Sequence, residues 1–549
     1  MKTILNKYRK SAALLAATLL VVTSCDSGFL ERPTLGNLDE ETYLSTEDAG
    51  FKLLVNCYQP IWNQWDYQTM KFDIGDQLTD DFAKGGSDAG DRSTITEVSR
   101  GNPTATSALL TQLWDHRYKQ AISPCNVFLS LVTPETSLIK SGGAFVSEDE
   151  KRRWIAEAHF MRAFYYFDLA LLFQNVPIID KPLNVVDKSG IVKADKAEVR
   201  DFILADLDVA ISEPLLPSAA SLPVSELGRV TKEAALAFRA RVHLLYGDYE
   251  AAKADLKAVV DSGCYELVDD YEKLFNSAAD GYMSKEAVFI TLRSYIPNYA
   301  GGSVCPQMNV GRAGTGGWGG ECPTNDLVSE YEVGDPRLVH TVLSSGDIFV
   351  KSDGTDEVHD YSGYDNYTQQ HSRKQYPDWS RRPIGDLMNT DWTFYHIRYA
   401  DVLLMYAECL IETGEDKQQA ADLINTVRRR AFLTTSPVDS YAKYRKFNIP
   451  DGERVTEALF NAKYRVKTSE DLRRAVRHER RVELAGEGLR LYDLIRWGEF
   501  VPTMQAFGKT DEGRYSSAGT HVTDKTYPYP IPQNEIDYVG GSLTQNENY

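Results

Sequence analysis

A chain of 549 residues, 42% hydrophobic and 25% charged, has the composition of a globular protein. It is too long for one compact core, so two lobes or one extended helical scaffold are expected. The formal charge of -19 argues against nucleic acid and against charge attraction to anionic lipid. It suits a ligand that is neutral, cationic or held without charge.

The chain opens on a leader. Lys2, Lys7, Arg9 and Lys10 make a positive head, Ala12 to Val22 is an uncharged apolar run, and Thr23-Ser24 precede Cys25. That is the pattern of a secretory signal. The apolar run is too short to span a bilayer, which takes about 20 such residues. The cysteine at the cleavage point resembles a bacterial lipobox. Residues 1–24 are then a lipoprotein signal peptide, and Cys25 becomes the lipid-bearing first residue of an exported protein held at a membrane surface. An ordinary signal peptide with an incidental cysteine is the alternative.

Aromatic residues, 31 Tyr, 21 Phe and 8 Trp, divide between helices and loops. The loop region Gln59 to Arg92 comes first, with PIWNQWDYQ followed by the acidic Asp76, Asp80, Asp81, Asp88 and Asp91. These acids lack EF-hand spacing. They are expected as solvated charges or as acceptors for a polar ligand, with a structural calcium as the alternative. Helical periodicity follows over Leu109 to Val132 and Lys151 to Phe173, where Trp154, Ile155, Phe160, Phe164, Phe167 and Leu171 recur at about 3.6 residues. Asn175-Val176-Pro177 ends that helix. Further helices are expected over Val199 to Ile211, Lys232 to Tyr246 and Tyr249 to Asp261. Then comes a glycine-rich aromatic region, Arg293 to Glu321, and a tyrosine-rich one, Asp356 to Arg382. Helices at Tyr399 to Thr413, Lys417 to Ala431 and Asp471 to Trp497 complete the series.

Two pairs, Lys232–Tyr246 with Tyr249–Asp261 and Tyr399–Thr413 with Lys417–Ala431, are joined by Gly-Asp and Gly-Glu turns. Each looks like a tetratricopeptide unit of two antiparallel helices. Long aromatic loops between such elements are more often functional than disordered.

Enzymatic motifs fail on inspection. His478-Glu479-Arg480-Arg481-Val482 lacks the second histidine of a zinc-protease helix, and its charges suit ion pairs at a helix junction. Gly311 to Gly320 has no Gly-Lys-Ser/Thr ending and so is no phosphate loop. Six glycines around Trp318 instead present an indole whose face can stack on a sugar ring, worth about 0.5–1.5 kcal/mol by analogy with aromatic pairs. The alternative is that Trp318 packs down as a lid on the core. No nucleophile elbow or SxxK occurs. Paired carboxylates for sugar hydrolysis are a question of distance in space. Of the cysteines, Cys125 and Cys409 sit among apolar helical residues, while Cys305 and Cys322 flank the glycine-rich loop and are candidates for a disulfide. No metal spacing of histidines or CxxC is present.

Several segments together resemble the SusD/RagB outer-membrane nutrient-binding lipoproteins of Bacteroidetes over nearly the whole chain. They are FLERPT after Cys25, AEAHFMRAFYYFDLALLFQNVPII (Ala156 to Ile179) and GRVTKEAALAFRARVHLLYGDY (Gly228 to Tyr249). RYADVLLMYAECL (Arg398 to Leu410), RHERRVELAGEGLRLYDLIRWG (Arg477 to Gly498), YPIPQNEI (Tyr529 to Ile536) and the closing SLTQNENY (Ser542 to Tyr549) follow. The resemblance implies a mainly α fold: about four tetratricopeptide-like helix pairs as a scaffold, with long loop inserts forming the ligand face. It implies an N-terminal region over 25–284 and a C-terminal region over 285–549. It further implies a cell-surface, outer-membrane lipoprotein that binds oligo- or polysaccharide and delivers it to a SusC-like TonB-dependent transporter, without catalysis and without a cofactor. A peptide-binding RagB-like lid is the alternative, and a lipid-anchored glycosidase a more remote one.

RSYIPNYAGGS and GTGGWGG look similar to two pieces of the aromatic arc of the starch-binding member. Tyr299 and Trp318 are carried over from them, with Tyr295 beside them. The third piece departs, since Asp81-Phe82-Ala83-Lys84 stands where the starch binder is rich in tryptophan. The expected ligand face is therefore Trp318, Tyr299, Tyr295, Trp65, Tyr67 and Phe82, with Asp81 and Arg312 as polar contacts.

Overall fold

A computed structural model describes residues 39–549 apart from 89, 184–185, 277–282, 294–301, 310–316, 346, 351–355, 359–367, 369, 376–388 and 434–454. The chain forms two units. The smaller comprises residues 1–52 and 136–147. In its described part Asp39 caps the helix Glu40–Leu44 through the Thr42 N–H, and Ile139 bridges to Glu47 and to Phe145.

The larger unit, residues 53–135 and 148–549, is mainly helical. Its helices stack in chain order. Glu148–Phe173 packs on Lys196–Ser212, which packs on Lys232–Leu245, and so on through Tyr249–Asp261, Tyr399–Glu412, Lys417–Phe432 and Leu472–Leu484. Such stacking buries a continuous core that no single helix pair could bury alone. Alanines make the close helix contacts: Ala234, Ala237 and Ala240 are fully buried against their neighbours. Capping residues start each element where the pattern asks for them. Asp195 and Glu198 form a reciprocal capping box, and Thr231, Asp248 and Asp416 each accept from the third residue onward.

The helix expected over 109–132 is continuous but carries a π-turn at His116–Ile122 between Ala108–Asp115 and Ser123–Leu131. The one expected over 471–497 breaks into Leu472–Leu484 and Arg490–Arg496. Gly486 and Gly488 between them have φ of 73° and 75°, a left-handed conformation that no helix interior tolerates. Among the described residues, four short antiparallel strand pairs serve as fasteners. Ala287–Thr291 joins Phe394–Arg398, and Phe82–Lys84 joins Glu321–Pro323. No described helix is long and apolar enough to cross a membrane.

The charges of Leu472–Leu484 are indeed a junction. Glu483 pairs with Arg398 at 2.7 Å, Arg430 at 2.6 Å and Arg337 at 3.0 Å. Glu479 takes Arg337 and Arg428, and Arg480 joins Asp401 and Asp493. These side chains are buried, and each charge is compensated by the next. Although burial pushes the other way, Arg480 and Arg241 beside Asp401 hold its carboxyl down to about 2.

At the far end of the chain, the Asn546 amide donates to the carbonyls of Phe173 (3.1 Å) and Tyr529 (2.8 Å). Gln545 exchanges two 2.7 Å bonds with the backbone of Ile531. The closing segment thus seals the exit of the helix Glu148–Phe173.

Candidate ligand-binding site

The exposed tryptophans gather in one corner of the larger unit. The helix Ala49–Trp62 contains Pro60, which supplies no N–H for the last turn and ends the helix soon after. A π-turn, Gln64–Gln68, follows before the helix Thr69–Gly75. Irregular turns of this kind re-aim side chains. Here the turn leaves Trp62 and Trp65 40% and 47% exposed.

Trp65 lies against Trp318, which is 39% exposed. Their ring centres are 6.1 Å apart and their planes 27° from parallel. Each partner is held by its backbone. The Trp318 N–H donates to Gln307 O and the Gly320 N–H to Met308 O, both at 2.7 Å, so the short helix Cys305–Asn309 backs the loop. Gly85 and Gly86 donate to Gly320 O and Gly319 O from the other side. A Cβ on Gly85 would stand 1.9 Å from Gly319 O, so glycine is required for this approach. Gln64 joins the two halves. Its amide donates to Gly302 O at 2.7 Å and its carbonyl accepts from the Val304 N–H.

Of the other expected contacts, Tyr67 and Phe82 belong to the core and not to the ligand face. Tyr67 is 0% exposed, packed among His116, Phe164, Tyr165 and His396, with the Arg117 guanidinium 4.4 Å from its ring centre. Phe82 is buried against Leu327, Tyr331, Leu338 and Val482. Asp81 is likewise withdrawn from solvent. It is buried, 2.7 Å from Arg481, while Asp80 pairs with Arg490 at 2.8 Å. Burial opposes ionisation of Asp80, but Arg490 and Arg481 hold it down to about 2.

These arginines use up the acids that a calcium ion would need. Asp76 accepts from the Gly488 N–H at 2.8 Å, and Asp88 and Asp91 cap their own loop. Among the described residues no group of three or more acids, histidines or cysteines is placed to hold a metal. Cys305 and Cys322 are both buried free thiols, the first near Gln68 and the second near Gly319 O and His371, so the disulfide is not formed. Tyr295, Tyr299, Arg312 and Cys25 lie outside the described residues.

Two residues of this corner escaped the sequence reading. Trp62 is one, although it stands in the same PIWNQW run as Trp65. The other is Arg293, whose guanidinium covers the Trp62 ring at 4.0 Å. A neighbouring carboxyl, Glu321, is fully buried one strand beyond Trp318, and burial pushes it up to about 8. The corner therefore offers flat apolar faces at the surface beside a buried, poorly ionised carboxyl.

Comparisons with known proteins agree with this architecture. A family model described as the SusD family matches residues 286–549, and a second, described as starch-binding associating with outer membrane, matches residues 38–244. SusD-like protein P2 from Formosa agariphila is 22% identical over 99% of this chain and 100% of its own. A SusD-like carbohydrate binding protein from Bacteroides fragilis superposes with a TM-score of 0.71 at 26% identity, covering 92% of this chain and 100% of that one. Surface glycan-binding protein A from Bacteroides thetaiotaomicron, solved in complex with laminarihexaose, shares the fold with a TM-score of 0.68 at 21% identity and the same coverage. The two matches flank residues 245–285 and together cover most of the sequence, and the chain belongs to the SusD/RagB family.

Proposed function

We propose that the protein is a cell-surface glycan-binding lipoprotein, anchored through lipid on Cys25, that passes oligosaccharide to a SusC-like TonB-dependent transporter of the outer membrane. The stacked and exposed pair Trp65–Trp318 carries the proposal. Two indoles stacked on one another and 47% and 39% exposed leave apolar surface in water, and the C–H faces of pyranose rings are complementary to it. Family membership and the carbohydrate named for the solved neighbours support the same reading. A binding role is favoured over hydrolysis because three of the acids in this region serve as ion-pair partners: Asp73 for Arg92, Asp80 for Arg490 and Asp81 for Arg481. Glycosidases need two carboxyl groups facing the scissile bond.

Calorimetry of the full-length protein in detergent against plant, microbial and host oligosaccharides tests the proposal. One glycan class should bind, and Trp318→Ala should weaken it about tenfold, the effect of about 1.4 kcal/mol. Binding of peptides in place of every glycan, indifferent to Trp318→Ala, would overturn it.

A further inference from the structure

Arg293 lies directly behind Trp62 and is 6% exposed. Its Nη2 donates to the Trp62 carbonyl oxygen, while its Nε and Nη1 are buried with no acceptor. Burial pushes the guanidinium down to about 10, which leaves it protonated at neutral pH. The Trp62 ring offers cation–π attraction but no countercharge.

The nine other buried arginines among the described residues all have a carboxylate partner. This fold therefore neutralises buried arginine as a rule, and the exception is at the exposed tryptophans. A buried cation without a partner is costly to keep. Such a cost is ordinarily retained where a ligand settles it.

We infer that Arg293 holds an anionic substituent of the bound glycan, a uronate carboxylate or a sulfate ester, beside the tryptophan platform; this rests on the glycan-binding reading of the same corner. A guanidinium is weakly hydrated and presents its donors in a fixed fork, which suits oxyanions better than an ammonium would. Trp62 is the cover. Its indole is 40% exposed and is tethered by one 3.3 Å bond from Nε1 to Leu292 O, so rotation of the side chain opens the guanidinium to the ligand. The net charge of -19 repels anions at a distance. Selectivity for an acidic sugar must then come from a contact in a site that water does not screen, and Arg293 is so placed.

The test uses matched glycans on the full-length protein in detergent: a uronate oligosaccharide with its carboxyl-reduced form, and a sulfated oligosaccharide with its desulfated form. The acidic member of one pair should bind at least tenfold tighter than its neutral counterpart, and the pair that shows it identifies the anion. Arg293→Gln should bring the acidic glycan to the affinity of the neutral one and leave the neutral one within twofold. If Arg293→Gln does not fold, the matched pairs on the unaltered protein decide alone. Equal binding of acidic and neutral members, both lost in Trp318→Ala, overturns the inference and leaves the glycan reading standing. A preference that survives Arg293→Gln also overturns it. Absence of binding to any glycan overturns the glycan reading, and the inference with it.

Discussion

The helix junction around Leu472–Leu484 and the corner around Trp65 and Trp318 treat charge and apolar surface in opposite ways. At the junction Glu483 meets three arginines and Glu479 two, all withdrawn from water. At the corner three indoles face solvent and a buried arginine has no countercharge among the described residues. The junction is complete by itself and its chemistry is spent on holding helices together. The corner is incomplete by itself, and incompleteness is what a binding site requires.

The largest effect should come from breaking the junction. Arg398→Ala strips Glu483, Glu487 and Glu286 of a shared partner and leaves three buried carboxylates on the remaining Arg430, Arg337 and Lys374. A loss of about 3–5 kcal/mol is expected, read as a lower urea midpoint, whereas Trp318→Ala should lower that midpoint far less, by the equivalent of about 0.5–1.5 kcal/mol. Equal loss in the two variants would dissolve the contrast between the regions.

A smaller effect separates the regions by pH. The folded state holds Glu321 up to about 8 through burial, above its unfolded value near 4.3. Its contribution is full below the unfolded value and is lost as pH rises toward about 8. Asp401, held down to about 2 at the junction, contributes above its unfolded value near 3.9 and loses that contribution as pH falls toward about 2. Glu321→Gln should therefore raise the melting temperature at pH 8 more than at pH 5. Asp401→Asn should lower it most at neutral pH and progressively less as acid is added. Identical pH profiles for the two variants would remove the distinction.

The smallest expected effect lies within the corner. A double-mutant cycle on Trp65→Ala and Trp318→Ala, followed by chemical denaturation, should give a coupling of about 0.5–1.5 kcal/mol. Strict additivity would mean that the two rings are held apart from one another by their own backbones, and that the ligand supplies the stacking.

Much of the scaffold was legible because helix periodicity and glycine turns are local signals. The break after Leu484 was legible too, since two glycines two residues apart interrupt the run at Ala485-Gly486-Glu487-Gly488, but the regular charge spacing on either side masked it. The site was only half legible. Trp65 and Tyr67 look equivalent in the sequence. Two residues apart in the turn Gln64–Gln68, however, they stand on nearly opposite sides of it, so one ring faces water and the other Arg117. Asp81 looked like a loop acid because its partner, Arg481, is 400 residues away. Arg293 is conspicuous only once nine other arginines are seen to be paired, and no spacing along the chain carries that comparison.

The seal made by Asn546 bears on the order of folding. The Phe173 carbonyl that it satisfies is 373 residues earlier, so the exit of the long helix Glu148–Phe173 is completed by the least local contact described for it. Bringing such distant segments together costs more chain entropy than pairing neighbouring helices, so the helix pairs can form before this exit is closed.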